Sequence, residues 1–299
     1  MGTRASNIVA TWAVAVLLWL PRPTLPPPEP PAAGAALSGG VFEYTVRAGD
    51  SLTSIGARYG IPAATIARDN GRDTGSVLPI GTTLALDNRH IVPAGIDRGM
   101  LINVPQRMLF LFSDEGSRAY PVGLGRRDWP TPLGEFRVIV KKEQPTWHVP
   151  PSIQEEMRRA GRTPVAIVPP GPDNPLGRYW IGLSIPAIGV HDTIAPSSVY
   201  SFLTHGCIRV HPDLVVDLFG RTAVGMPGRI VYEPVLVAVS GNRLYLEVHP
   251  DVYRRRGESL TALQALTADL AVAERMDWTR AGRIVQLREG VARDVTADR

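Results

Sequence analysis

From about Met100 to Tyr232 the chain shows short apolar runs separated by glycine, proline and other turn residues, a pattern that favours an all-β domain. Met100 to Val104, Arg107 to Phe112, Arg118 to Val122 and Glu135 to Val140 predict strands. Ile181 to Leu183, Ile188 to His191, Cys207 to Val210 and Arg229 to Tyr232 predict more. Many short strands with such punctuation predict a β-sandwich or barrel. Two interruptions read as helices. One is Ser152 to Ala160 with a capped start; the other is Asp213 to Phe219, whose Leu214, Val215 and Leu218 are apolar. Between them Pro169-Pro170-Gly171-Pro172-Asp173-Asn174-Pro175 predicts a long rigid loop, which in a compact domain usually has a task.

The flanks differ. Arg4, the apolar stretch Ile8 to Leu20, the helix stop at Pro21 and the small residues Ala32 to Ala36 predict an export signal over 1–36, cleaved rather than kept as an anchor. The Pro-rich stretch that follows Leu20 reads as a tether leading into a linker over 37–42. Over 43–88, Tyr44-Thr45-Val46 predicts a strand. Gly49-Asp50-Ser51 then opens a helix, capped by Asp50 or Ser51, with Leu52, Ile55 and Tyr59 on one face. Gly60 stands where a left-handed cap closes it. A second helix over Ala63 to Arg68 and a strand over Thr82 to Leu86 complete a small α+β βααβ unit. In the tail, 234–299, Gly241-Asn242 joins two apolar runs as a hairpin. Leu260, Leu263, Leu266, Leu270 and Ala273 mark an amphipathic helix, and Asp277 is placed to cap another. With no catalytic group in view, this appendage reads as a docking or interaction element.

The net charge of +4 is scattered, and no basic run is interleaved with aromatics; it suits an acidic polymer such as a cell wall rather than nucleic acid. There is one cysteine, so an internal disulfide is excluded. It lies in Thr204-His205-Gly206-Cys207-Ile208-Arg209. A thiol attacks a carbonyl only when a base or positive surroundings assist it. In an extended segment His205, Cys207 and Arg209 share a face. Gly206 permits close backbone approach, so that successive N–H groups can hold an oxyanion. His191, ending an apolar run, is placed to reach the thiol. Two alternatives compete. A buried apolar thiol sits badly beside glycine and arginine. Zinc held by His191, His205, Cys207 and His211 sits badly with a stiff strand and with unfamiliar spacings. His211, before Pro212, reads as structural.

That hexapeptide, with His191 thirteen positions ahead of Thr204, resembles the signature of the L,D-transpeptidases of the YkuD family. Ile102 to Leu109, Gly123-Leu124-Gly125, Trp129 to Phe136, Pro145-Thr146-Trp147 and Gly171 to Gly177 resemble further elements of it. The resemblance runs from about Met100 to Tyr232, more weakly through Val248. It implies a YkuD-type β-sandwich with short helices over 98–233, with Cys207 as nucleophile and His191 as proton acceptor and donor. It also implies an oxyanion site from the amides of His205, Gly206 and Cys207, with Arg209, Thr204, Asp192 and Trp147 serving the substrate. Asp192 departs from the small residue usual after the histidine, and it either raises the basicity of His191 or points to solvent. Residues 43–88 resemble a LysM domain. That implies binding of N-acetylglucosamine-containing glycan through Gly49, Asp50, Ser51 and Leu52 and the segment Leu78-Pro79-Ile80-Gly81.

Together these resemblances imply a periplasmic enzyme of cell-wall organisation and cell shape. It would cross-link peptidoglycan tetrapeptide stems through a thioester, releasing D-alanine, with another stem or a lipoprotein as acceptor. The membrane is a partner only if the signal stays uncleaved, and neither a metal nor an organic cofactor is required. The alternatives are an L,D-carboxypeptidase that trims stems and an inactive LysM wall-binding scaffold.

Overall fold

The structure, a computed structural model, describes residues 37–269 and 272–298. The predicted export signal and Leu270 lie outside the described residues. Strand β1 (Val41–Thr45), helices α1 (Leu52–Tyr59) and α2 (Ala63–Asp69) and strand β2 (Thr83–Asp87) form the predicted βααβ unit, with Tyr44 opposite Leu84 across the antiparallel pair. Ser51 is the cap of α1. Its hydroxyl accepts from the Ser54 N–H, and Ser54 Oγ accepts from the Ser51 N–H, so two amides that the helix leaves unpaired are satisfied together. Asp50 instead braces the turn, accepting from the Tyr44 hydroxyl at 2.6 Å and the Arg47 N–H at 2.8 Å. Gly60 closes α1 at φ +77.

The central domain contains β3 (Gly99–Asn103), β4 (Met108–Ser113), β5 (Gly116–Gly125), β6 (Gly134–Glu143), α3 (Pro151–Arg159), β7 (Tyr179–Leu183), β8 (Gly189–His191), β9 (Phe202–Thr204), β10 (Ile208–Val210), α4 (Pro212–Arg221) and β11 (Pro227–Val231). The strands lie in the order β9-β5-β10-β8-β7-β6-β11-β3-β4, and β4 also pairs with β5, so the sheet closes on itself like a barrel. β8 with β10, β9 with β5 and β11 with β3 are the parallel pairs. Tyr120, Val122, Ile181, Val190 and Ile208 fill the interior, and α4 adds Leu214, Val215 and Leu218. β3 is buried along its whole length because Leu101 joins a second cluster with Phe110 and Tyr200 on the other face. The unpredicted β9, and the pairing of Trp147–His148 with Ile167–Val168, are too short to show as an alternating pattern. The start of α3 differs from expectation: Pro150 takes the cap position and makes no side-chain bond, while Pro151 opens the first turn.

The tail forms a hairpin, β12 (Val235–Ser240) and β13 (Arg243–Val248), then α5 (Ser259–Asp269), α6 (Trp278–Leu287) and β14 (Arg293–Asp294), which pairs with β13. Asp277 caps α6 by accepting from the Arg280 N–H at 2.9 Å. The leucine stripe of α5 is only partly inward. Leu263 is buried, but Leu260 and Leu266 are exposed, and Thr267 takes the inner position by bonding back to the Leu263 carbonyl. This appendage docks on its own chain. Val291 enters the βααβ core, and Arg293 pairs with Asp69, Asp87 and Glu289.

A buried cluster fastens the same junction. His90 Nε2 donates to the Gly60 carbonyl at 2.8 Å and Nδ1 to Glu247 Oε1 at 2.7 Å; His249 Nε2 donates to that same oxygen at 2.7 Å, and the Ile91 N–H fills Oε2 at 2.6 Å. Burial pushes the Glu247 carboxyl up, but His90 and His249 more than offset it and hold it well below the usual carboxylate range. No helix among the described residues is long and apolar enough to cross a membrane.

Candidate active site

Cys207 stands at the head of β10, just outside the strand predicted to contain it, where the loop from β9 delivers it. Gly206 turns that loop with φ +103, and a side chain there would press on Ile188 at 3.0 Å. Thr204, almost fully buried, staples the loop. Its hydroxyl donates to the Cys207 carbonyl at 2.6 Å and accepts from the Gly206 N–H at 3.1 Å. On the far side Thr131 Oγ1 donates to the Gly206 carbonyl at 2.9 Å. The turn breaks the extended geometry from which His205, Cys207 and Arg209 were expected to share a face. All three nevertheless line one cavity of about 1090 Å3, together with His191, Thr204 and Trp147.

His191 ends β8, which runs parallel to β10 with His191 opposite Arg209, two residues along the ladder from the level of Cys207, and both side chains line the same cavity. Trp180 stacks on the imidazole at 5.9 Å. Gly189 makes room for that indole, since a Cβ there would lie 2.4 Å from it. His191 Nδ1 faces the Asp192 carbonyl, which only accepts, so the neutral ring carries its hydrogen on Nδ1 and leaves Nε2 basic.

Asp192 does neither of the two things expected of it. Its carboxylate is buried, accepting from the Thr193 N–H at 2.7 Å and the Arg178 N–H at 3.2 Å, and Gly177 (φ +66) packs against it. The His191 ring meets only the backbone carbonyl of Asp192, and the carboxylate is nearly closed to solvent. Its Oδ2 anchors the start of β7, where Arg178 Nε also stands 3.6 Å away. His211 also stands apart, capping α4 by accepting from the Asp213 N–H at 3.2 Å.

Much of the cavity wall comes from the insert 144–178, which holds Trp147, α3 and the proline-rich loop. Asn174 braces that insert internally, donating to the Pro145 carbonyl at 2.8 Å and accepting from the Leu176 N–H. Glu156 of α3 bonds the His205 ring and accepts from Arg126 Nη1 at 3.1 Å, while Trp129 meets His205 edge-on at 4.6 Å. Glu156, Thr131 and Trp180 were not picked out from the sequence, although Thr131 lies within the quoted Thr-Pro element. Arg209 reaches Ser198 Oγ at 3.1 Å.

Burial pushes the His191 imidazole down to about 4, with the Arg209 charge acting the same way and the carbonyls of Asp192 and Leu176 opposing. Burial pushes the Cys207 thiol up, while the Gly189 amide and the Arg209 charge pull it back. The thiol donates to the Ala187 carbonyl at 3.5 Å. At neutral pH a neutral thiol and a neutral imidazole therefore line the same cavity.

In the βααβ unit, Gly49 has φ +84 and Ser51 and Asp50 are engaged in the turn, as described. The Leu52 side chain is part of the hydrophobic core, so only its backbone is open to a glycan. Ile80, in the second predicted glycan segment, is 72% exposed.

Comparison with known proteins agrees with this geometry. The YkuD L,D-transpeptidase catalytic domain matches residues 97–237, and the LysM domain matches residues 44–87. The Escherichia coli (strain K12) protein named "Probable L,D-transpeptidase ErfK/SrfK" is 29% identical over 304 residues, covering 96% of both chains. "Probable L,D-transpeptidase YbiS" of the same organism is 30% identical over 228 residues, covering 73% of both. The chain thus belongs to the YkuD L,D-transpeptidase family and carries a LysM domain ahead of its catalytic barrel.

Proposed function

We propose that this L,D-transpeptidase cross-links peptidoglycan tetrapeptide stems through a thioester on Cys207. The observation that carries the reading is the meeting of the sole cysteine with a buried neutral histidine and Arg209 in one cavity large enough for a peptide stem. As the sulfur attacks the L-centre carbonyl of the third stem residue, the thiol proton passes to His191 Nε2. The developing oxyanion is met by backbone amides of the 205–207 loop. The Gly206 N–H is already held by Thr204, so those of His205 and Cys207 are the principal donors. Collapse breaks the peptide bond, and His191 returns its proton to the departing D-alanine amine. An acceptor amine then attacks the thioester, loses its proton to His191, and the proton goes back to sulfur. Arg209 orients the stem, and the insert 144–178 keeps water from the thioester. The LysM unit holds glycan near the barrel. The apolar run Ile8 to Leu20 supports export to the periplasm, and a lipoprotein amine is a second acceptor that fits the chemistry.

The test is product analysis after incubating the full chain with disaccharide-tetrapeptide. D-alanine release with a dimer joined between third residues is the expected result. Tripeptide without dimer would replace transfer by hydrolysis, and no turnover would leave a wall-binding scaffold.

A further inference from the structure

The residues from Pro250 onward follow the hairpin and lie beyond the matched catalytic domain, yet one of them reaches the nucleophile loop. The Tyr253 hydroxyl donates to the Gly125 carbonyl at 2.6 Å and accepts from the Thr131 N–H at 3.1 Å. Thr131, fully buried, accepts from the Gly125 N–H at 2.9 Å and donates to the Gly206 carbonyl at 2.9 Å. Tyr253 is itself held: its N–H donates to the Tyr232 hydroxyl at 2.8 Å, that hydroxyl donates to Asp251 Oδ1 at 2.6 Å, and the two rings stack at 5.6 Å. Every donor and acceptor along this line is matched, so the chain of bonds has one direction and no slack.

Its end point gives it meaning. The Gly206 carbonyl and the Cys207 N–H belong to one planar trans peptide unit and point in opposite directions. Thr131 draws the carbonyl toward the buried side, and the Cys207 N–H is thereby turned the other way, toward the cavity. We infer that Tyr253, acting through Thr131, is a positioning residue that aims the Cys207 amide at the oxyanion, so that the tail completes the catalytic site. The inference rests on the acyl-transfer reading above. It also assigns the tail a task that its sequence did not suggest.

The test separates acylation, which passes through an oxyanion, from alkylation of the same sulfur, which does not. In the full-length enzyme Tyr253→Phe keeps the ring stack and removes only the hydroxyl. Thr131→Val and Thr131→Ser remove and keep the hydroxyl at the next link. Acylation by a carbapenem is expected to slow about ten- to a hundredfold in Tyr253→Phe and Thr131→Val, below or within the range for losing an oxyanion donor outright. Thr131→Ser is expected to stay near wild type, and iodoacetamide alkylation of Cys207 to remain within about twofold in all three. Acylation within about threefold of wild type in Tyr253→Phe would overturn the inference. So would acylation and alkylation falling in parallel, which signals a merely structural part. A wild-type enzyme that is never acylated would instead overturn the acyl-transfer reading itself.

Discussion

Lowering the pH from 7 to 5.5 distinguishes two ways in which Cys207 can be activated. With the imidazole of His191 pushed down to about 4, roughly 97% of it is still neutral at pH 5.5, against roughly 9% for an ordinary histidine near 6.5. The thiol, pushed up by burial, is protonated at both pH values. If the proton moves to His191 during attack, the rate depends on neutral thiol and neutral imidazole, and it falls by less than about a tenth over this interval. If attack requires thiolate formed beforehand, the rate falls about thirtyfold, tenfold for each pH unit. The assay is carbapenem acylation of Cys207, timed by rapid mixing and confirmed by mass. A flat profile from 7 to 5.5 with an acid limb near 4 is expected. A thirtyfold fall, or a limb near 6.5, would refute the neutral-pair description.

Other parts of the structure make their own predictions. Glu247→Gln places an amide against the Ile91 N–H and removes the charge that both histidines face. It should cost about 3–5 kcal/mol, read as a lowered urea midpoint; an unchanged midpoint would show that the cluster does not fasten the junction. Gly177→Ala forces a Cβ to 2.4 Å from Asp192 at φ +66, and a loss of about 1–3 kcal/mol is expected in the same assay; full stability would contradict the packing described. His191 and His249 are both held neutral by burial, below the ordinary histidine range. At these two positions the unfolded chain binds protons that the folded one refuses as pH falls below about 6.5, so His191→Gln should flatten the fall in stability between pH 7 and 5 relative to wild type, and an unchanged pH slope would be inconsistent with it. Glu156→Gln loosens the link between α3 and His205; KM for the stem should rise by at most about fivefold, with the carbapenem acylation rate unchanged.

Much of the site was legible because its chemistry is local. The loop from Thr204 to Arg209 contains nucleophile, turn and positive charge within six residues, and His191 ends a run that reads as a strand. What stayed hidden depends on where distant segments meet. The orientation of Asp192 is decided by Gly177 and the backbone of Arg178. Glu156 bonds a histidine 49 residues away, and Tyr253 a carbonyl 128 residues away, and neither has a local pattern that announces it. The alternation that placed His205, Cys207 and Arg209 on one face overlooked the left-handed turn at Gly206. The same kind of limit applied to α5, where a stripe of leucines suggested one buried face and a threonine took part of it. The longer strands were more legible: β3 to β5 read as continuous apolar runs because most of their residues are buried, and β6 alternates over part of its length.

The most direct test of the central claim is the intact mass of the full chain, wild type and Cys207→Ala, after brief incubation with disaccharide-tetrapeptide. The account predicts a wild-type adduct equal to the donor minus D-alanine, removed by hydroxylamine as a thioester would be, and no adduct on the alanine variant. An adduct on both proteins, or turnover by Cys207→Ala, would contradict it.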